Sequence, residues 1–297
     1  MKALTFQQKS SLTYFNKKFQ EWNLKSNSKR YNVIVDRLRT TFETLKKINK
    51  NINFLDVGCG TGQLAIIMSK KKNVLESTGI DFAKNMITQS KKNNKKLRTK
   101  AKFIHTSFFN AKFQNKFDLI AAHGFIEYIS QIELISFFKI LSKITKKNGY
   151  ISIGSRNRLF NLFSANEFTI HENTTDLKHL INESIQINKF TTINNFLKKK
   201  LHTKYKIFKK HPITGVTVSQ RNQFTPFELS SIIQKYGFKV TQIYPINYHS
   251  VLPSLLNNKN IYSTLYEKNA LTISKNFKKQ IRFVNSSSSF IIEAKKV

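Results

Sequence analysis

The stretch Asn53-Phe54-Leu55-Asp56-Val57-Gly58-Cys59-Gly60-Thr61-Gly62 decides the fold. Its first half is short, apolar and strand-like. Its second half places Gly58, Gly60 and Gly62 within five residues, in a chain with only nine glycines. Leu64 to Ser69 then read as a helix that ends in Lys70-Lys71-Lys72, cations suited to the negative end of its dipole. A strand that turns through glycines into a helix aims free backbone N–H groups at whatever sits beyond the strand's carboxyl end. In a doubly wound sheet that is where the ligand crevice lies.

The segments that follow repeat the alternation. Val74 to Asp81 reads as a second strand, followed by a helix from about Ala83 to Lys92. Lys102 to His105 is a third strand and Phe117 to Ala122 a fourth. Ser130-Gln131-Ile132-Glu133 is a capping box opening a helix through Phe137, Leu141 and Ile144. We expect that helix to close at Lys146-Lys147-Asn148-Gly149 with a glycine cap, before a fifth strand, Tyr150 to Ile153. Thr225-Pro226-Phe227-Glu228 is a second N-terminal signature, with Pro at the first helical position. Its helix ends at Gly237 and precedes strands at Phe238–Ile243 and Phe290–Ala294. Upstream, Tyr31, Val35, Leu38, Phe42 and Leu45 share one helix face. Alternation of this kind predicts a Rossmann-like, doubly wound, mostly parallel seven-stranded sheet. Residues 1–50 form an N-terminal helical segment, and 51–155 the cofactor-binding core. Residues 156–224 form a helical insertion or lid, with helical patches near Leu177–Ile187 and Ile193–Leu201. Residues 225–297 complete the sheet and carry a helical insertion near 250–285.

The glycine spacing selects the ligand. A dinucleotide fingerprint needs a glycine three residues after Gly60, where Gln63 stands. The form that does stand, Asp56-Val57-Gly58-Cys59-Gly60-Thr61-Gly62, resembles motif I of the class I S-adenosylmethionine-dependent methyltransferases. Three later segments resemble that family in order: Thr78-Gly79-Ile80-Asp81-Phe82-Ala83-Lys84-Asn85-Met86, then Phe117-Asp118-Leu119-Ile120 through Tyr128, then Lys147-Asn148-Gly149-Tyr150. The resemblance covers roughly residues 50–155. It implies that S-adenosyl-L-methionine is the cofactor. Gly58, Cys59, Gly60 and Gly62 would form its cradle, with Asp56 placing the ammonium group and Asp81 accepting from the ribose hydroxyls. Phe82 and Met86 would border the adenine, beside Ser107 and Phe108. Ser107 stands where the family often has an acid. Asp118 is read as a brace of the fourth strand and His105 as a packed strand residue.

For the reaction, His123 follows the fourth strand at the carboxyl edge and is the candidate general base. Arg156 and Arg158 leave the fifth strand where a substrate would sit and are candidates for a carboxylate or phosphate. His211 and His249 belong to the same rim. This layout resembles the small-molecule branch, such as the ubiquinone-biosynthesis O-methyltransferases, and implies methyl transfer to a small acceptor, on oxygen.

Composition narrows the alternatives. The chain has 297 residues, 51 Lys+Arg against 16 Asp+Glu, a formal net charge of +35 and one Cys. One Cys excludes a disulfide scaffold and a Cys-based zinc site. Because Cys59 sits in the glycine loop, no thiol is left to attack a pyrimidine ring. Ala121-Ala122-His123-Gly124-Phe125 stands where amino-methylating nucleic-acid enzymes carry an Asn/Asp-Pro-Pro-aromatic box. Only eight basic residues are Arg, the Lys are spread evenly, and Lys, Asn, Ile and Phe share A/T-rich codons. We therefore read the charge as compositional first and as a nucleic-acid surface second. No apolar run reaches the length of a membrane span, and no secretory signal is visible. A cytoplasmic location is expected, and no metal is. The competing readings are an RNA methyltransferase that uses the Lys surface and a cofactor-binding interaction module without turnover.

Overall fold

The computed structural model describes residues 5–27, 33–164, 167–189, 192–198, 206–210, 217–249, 261–276 and 280–297. In chain order the elements are α1 (Phe6–Asn27), α2 (Val33–Leu45), β1 (Ile52–Val57), α3 (Gln63–Ser69), β2 (Val74–Asp81), α4 (Lys84–Lys96), β3 (Lys102–His105) and β4 (Phe117–His123). There follow α5 (Gln131–Ile144), β5 (Thr145–Arg156), α6 (Asn161–Ser164), α7 (Glu167–Ile170), α8 (Thr174–Lys189), α9 (Ile193–Leu197), β6 (Lys206–Lys210) and β7 (Thr217–Gln223). The chain ends with α10 (Pro226–Lys235), β8 (Phe238–Tyr248), α11 (Ile261–Asn276) and β9 (Ser287–Lys296).

Seven strands form one sheet in the order β3-β2-β1-β4-β5-β9-β8, parallel from β3 through β5, with β9 antiparallel to both of its neighbours. β1 and β4 are adjacent at the point where the winding reverses, so a crevice opens beyond their carboxyl ends. Register brings the chemistry to that edge. Asp56 pairs with Ala121, Asp81 with His105, His123 with Gly154, and Arg156 with Ser289. The strands are apolar on both faces because both are covered. On one side Leu55, Ile120 and Ile151 meet Phe137, Leu141 and Leu229. On the other, Phe54 and Leu119 meet Leu45, Leu64 and Met68.

The local signatures act as expected at two helices. Ser130 Oγ accepts from the Glu133 N–H, and the Glu133 carboxylate accepts from the Ser130 N–H at 2.8 Å. Thr225 Oγ1 caps α10 by accepting from the Glu228 N–H, with Pro226 at the first position and Gly237 following in the left-handed region. The cap expected at Gly149 is a correction. α5 stops at Ile144, because Thr145 already pairs with Phe117 as the first residue of β5 and its hydroxyl donates to the Leu141 carbonyl. Asn148, not Gly149, takes the left-handed conformation. The reading of 156–224 as helical also needs correction. α8 and α9 are there, but β6 and β7 form a two-stranded antiparallel sheet. His105 lies in β3 as expected, yet it is exposed rather than packed. Tyr31 and His211 fall outside the described residues. Among the described residues no helix is long and apolar enough to cross a membrane.

Candidate active site

The glycine loop runs from the end of β1 into α3. Gly60 N donates to the Asp81 carboxylate at 2.9 Å, and Ala83 N donates to its other oxygen at 2.8 Å. Asp81 thus ties the loop to the start of α4 while facing the crevice. Burial pushes its pKa up, and those two N–H groups partly offset the rise. Asp56 is buried beside it. Burial first, then the Asp81 charge, raise its pKa to about 7, against an N–H bond from Ala65. A site with two clustered carboxylates and little water favours a ligand that brings a cation and hydroxyl donors.

Gly62 plays a different part from the one expected. It does not line the crevice. Its φ is +89°, and a Cβ there would lie 2.7 Å from the Phe103 ring and 2.8 Å from Ser90. Its missing side chain lets α3 settle against β3 and α4. Gly58 does face the crevice, where a Cβ would press on Phe125 at 3.1 Å. The thiol of Cys59 is pushed well up by burial and then by Asp81, so it stays protonated.

The crevice is a cavity of about 310 Å³. Asp56, Gly58, Cys59, Gly60 and Asp81 line one end, and Phe82, Met86, Ser107 and Phe108 border it on the β2–β3 side. The sequence-predicted cofactor residues, Gly62 excepted, therefore share one wall. Asp118 is away from it. It accepts from Asn53 N at 2.9 Å and pairs with Lys50 and Lys146, both at 2.8 Å, which bind β1 to β4 and to the start of β5.

His123 lines the cavity at the end of β4. Its Nε2 lies 2.9 Å from Ser152 Oγ and 3.5 Å from Thr41 Oγ. Burial, then Arg37, push its pKa down to about 3, so the imidazole is neutral at every ordinary pH. Arg156 also lines the cavity. Arg158 does not, which corrects its assignment to substrate. It is buried against Glu172 at 2.7 Å and Asp176 at 2.9 Å and fastens the turn after β5 to α8. His249 sits behind the wall rather than in it. Its ring lies on Phe160 with centroids 4.7 Å apart, and its Nε2 lies 3.3 Å from Asn247 Nδ2; Asn247 is the residue that reaches the cavity.

Two groups of wall residues were not read from the sequence. The first is α1, whose Gln8, Ser11, Phe15 and Trp22 share one face and line the cavity. It is fastened by Gln7 Nε2 donating to the Tyr128 carbonyl at 2.6 Å, by Gln8 donating to Glu133, and by Phe15 set edge-on to Tyr128. The second is Glu127, fully buried after β4, with Arg37, Arg156 and Arg221 around its carboxylate. Burial raises the Glu127 pKa, and Arg156, Arg221 and Arg37 more than offset it, so the group stays ionised.

Removing the Asp81 carboxylate tests the cofactor wall. With Asp81→Ala, affinity for S-adenosylhomocysteine should fall by about 1.5–3 kcal/mol, the scale of hydrogen bonds to a charged group. Titration calorimetry reads this directly, and an unchanged dissociation constant would show that Asp81 serves the loop alone.

Comparison with known proteins agrees with this geometry. Residues 48–208, more than half of the chain, match a family model described as a methyltransferase domain. Over 128 residues the chain is 34% identical to the ubiquinone biosynthesis O-methyltransferase of Pelagibacter ubique, covering 43% of this chain and 50% of that protein. The match thus spans half the length of that curated relative. Among solved structures, the fold is shared with magnesium protoporphyrin IX methyltransferase from Synechocystis PCC 6803 with bound SAM (TM-score 0.54, 11% identity, 100% of both chains). It is shared too with 1,6-didemethyltoxoflavin-N1-methyltransferase from Burkholderia thailandensis (TM-score 0.56, 9% identity, 100% of this chain and 92% of that one). With four motif segments in order, a seven-stranded sheet wound as expected and a family match over 48–208, the chain belongs to the class I S-adenosylmethionine-dependent methyltransferases.

Proposed function

We propose that the protein transfers a methyl group to an oxygen of a small-molecule acceptor. The observation that carries this reading is the roof over the crevice. α1 crosses it with Gln8, Ser11, Phe15 and Trp22 among the lining residues, leaving a bounded cavity of about 310 Å³ that keeps a mouth to solvent. A cavity of that size suits a small molecule, whereas a nucleic-acid strand needs a long groove that tracks its backbone. The bound cofactor supplies a sulfonium-activated methyl, so the protein's task is placement and the exclusion of water.

The residues divide that task. Asp81 holds the ribose hydroxyls and Asp56 the ammonium group. α1 and the Phe108–Phe125 contact, with ring centroids 5.9 Å apart, give the cavity apolar walls. His123, neutral and held by Ser152, accepts a hydrogen bond from the acceptor's hydroxyl and orients its oxygen toward the methyl. With its pKa lowered it is a weak base toward a free hydroxyl, and it takes the proton only as methyl transfer makes that hydroxyl acidic. The names of two similar proteins support the acceptor class. One is a ubiquinone biosynthesis O-methyltransferase and the other a 1,6-didemethyltoxoflavin-N1-methyltransferase with 1,6-didemethyltoxoflavin bound.

A thermal-shift series with S-adenosylmethionine, S-adenosylhomocysteine, NAD and a structured RNA tests the reading. A ligand at about 100 times its dissociation constant adds roughly 2.7 kcal/mol, a rise of several degrees. A rise with the two sulfur ligands, and no RNA affinity at physiological salt, is the expected result. RNA binding that persists at that salt and weakens steeply as salt is added would favour the RNA methyltransferase reading. No rise with any ligand would leave an interaction module.

A further inference from the structure

The side of the cavity around Glu127 carries an unbalanced charge. Arg37, Arg156 and Arg221 surround one carboxylate, Glu127, so the cluster holds a net excess of two positive charges. The contacts are long: 3.5 Å from Arg37, 3.5 Å from Arg156 and 3.6 Å from Arg221. A charge-assisted pair closes to about 2.7–2.9 Å, as Arg158 and Glu172 do at 2.7 Å in the same protein. Arg37 Nε and Arg221 Nε and Nη1 are buried with no hydrogen-bond partner among the described residues, and Arg156 Nε has only its long contact to Glu127. Covered guanidinium groups that share one distant carboxylate are costly unless a further anion completes them. Glu133, the other acid at this end, is already engaged by Ser130 N and Gln8.

Position separates the three arginines. Arg221 lies behind Glu127, over the Tyr128 ring at 5.7 Å, and does not reach the cavity lining. Arg37 stands over Gly124, close to the glycine loop, where a Cβ on that residue would meet its Nη1 at 2.9 Å. Arg156 ends β5, two strands from β1. At about 4.8 Å per strand its backbone stands roughly 10 Å across the sheet from the loop. We infer that the acceptor carries a carboxylate, received in the cavity by the Arg156 guanidinium, with Glu127 and Arg221 fixing that guanidinium from behind. A planar fork matches a carboxylate through two parallel N–H bonds. This inference rests on the small-molecule methyltransferase reading.

The test uses benzoate and its neutral isostere benzamide as probes. Each is titrated into full-length protein saturated with S-adenosylhomocysteine and followed by ligand-observed NMR at millimolar concentration. Benzoate should bind about tenfold or more tighter than benzamide, the scale of a charge-assisted bond. Arg156→Gln should erase that preference and Arg156→Lys should restore part of it, with S-adenosylhomocysteine affinity held within about twofold in both. Benzoate binding no better than benzamide overturns the inference. So does an Arg156→Gln variant that loses S-adenosylhomocysteine affinity and keeps benzoate, because the guanidinium would then hold the cofactor's own carboxylate. If S-adenosylhomocysteine itself fails to bind, which the first titration shows before any acid is added, the underlying methyltransferase reading falls instead.

Discussion

Replacing Glu127 with Gln should lower the stability of the protein by about 3–5 kcal/mol, the cost of stripping one partner from a buried ionic cluster. The side chain is 2% exposed, Arg221 is 2% exposed, and Arg37 and Arg156 are largely covered at 14% and 27%. Without the carboxylate, three guanidinium groups repel one another in a region where water cannot screen them well. The strain already shows in the intact cluster, where burial and then Arg221 push the Arg156 pKa down to about 10. The measurement is a urea titration of wild type and variant, with the midpoint moving and the slope held. Glu21→Gln is the control. Its exposed pairs with Lys18 and Lys25 should contribute no more than about 1 kcal/mol. The sign with pH is fixed by the lowered pKa of Glu127. Its contribution is present above the ordinary glutamate value of about 4.3 and is lost as pH falls below it through the folded-state pKa. A loss under 1 kcal/mol in the variant would mean that the arginines do not depend on this carboxylate.

The parts of the site legible in the sequence are those where scarce residues meet a strong local rule. Three glycines in one turn and aspartates at two strand ends stand out in a chain with nine Gly and five Asp, and the structure sets Asp56 and Asp81 together at the crevice. What stayed hidden is what tertiary packing decides. α1 falls in the segment 1–50 read as helical, but its role as a cavity wall is hidden, because the face it turns inward, Gln8-Ser11-Phe15-Trp22, is half polar and hydrophobic periodicity is weak. Its heptad-like spacing was the available signal. Arg158 and Arg156 are two residues apart in sequence, yet one is spent on Glu172 and Asp176 while the other faces the cavity. Spacing alone does not separate them. Arg37 and Arg221 come from α2 and β7, far apart in the chain, and only the fold brings them to Glu127. β6 and β7 carry little of the alternation that marks a strand. The Asn148-Gly149 pair has the look of a helix cap but serves a register irregularity in β5, where the left-handed residue is Asn148.

For His123→Ala we expect turnover to fall about 100-fold or more, with affinity for S-adenosylhomocysteine unchanged within about twofold. The estimate sits near the lower end of general-base effects, because an imidazole whose pKa burial pushes to about 3 is a poor proton acceptor in the resting site. Its contribution is chiefly to hold the acceptor's oxygen in line, which a methyl side chain cannot do. The pH profile separates His123 from Asp56. His123 is neutral above about 3, so its titration should produce no fall in kcat between about pH 8 and 5. Asp56, raised to about 7 by burial and by Asp81, is protonated below that value in the cofactor-free protein. The ammonium group it faces favours the carboxylate, so binding expels a proton and weakens as pH falls below about 7. KM for the cofactor should therefore rise on acidification while kcat stays level. A kcat that drops through pH 6.5, with KM constant, would place an ordinary histidine base elsewhere in the cavity and remove His123 from the reaction. Normal turnover by His123→Ala would have the same consequence. Loss of turnover together with loss of S-adenosylhomocysteine binding would instead mean that the Ser152–His123–Thr41 contacts hold the glycine-loop end of the cavity in shape.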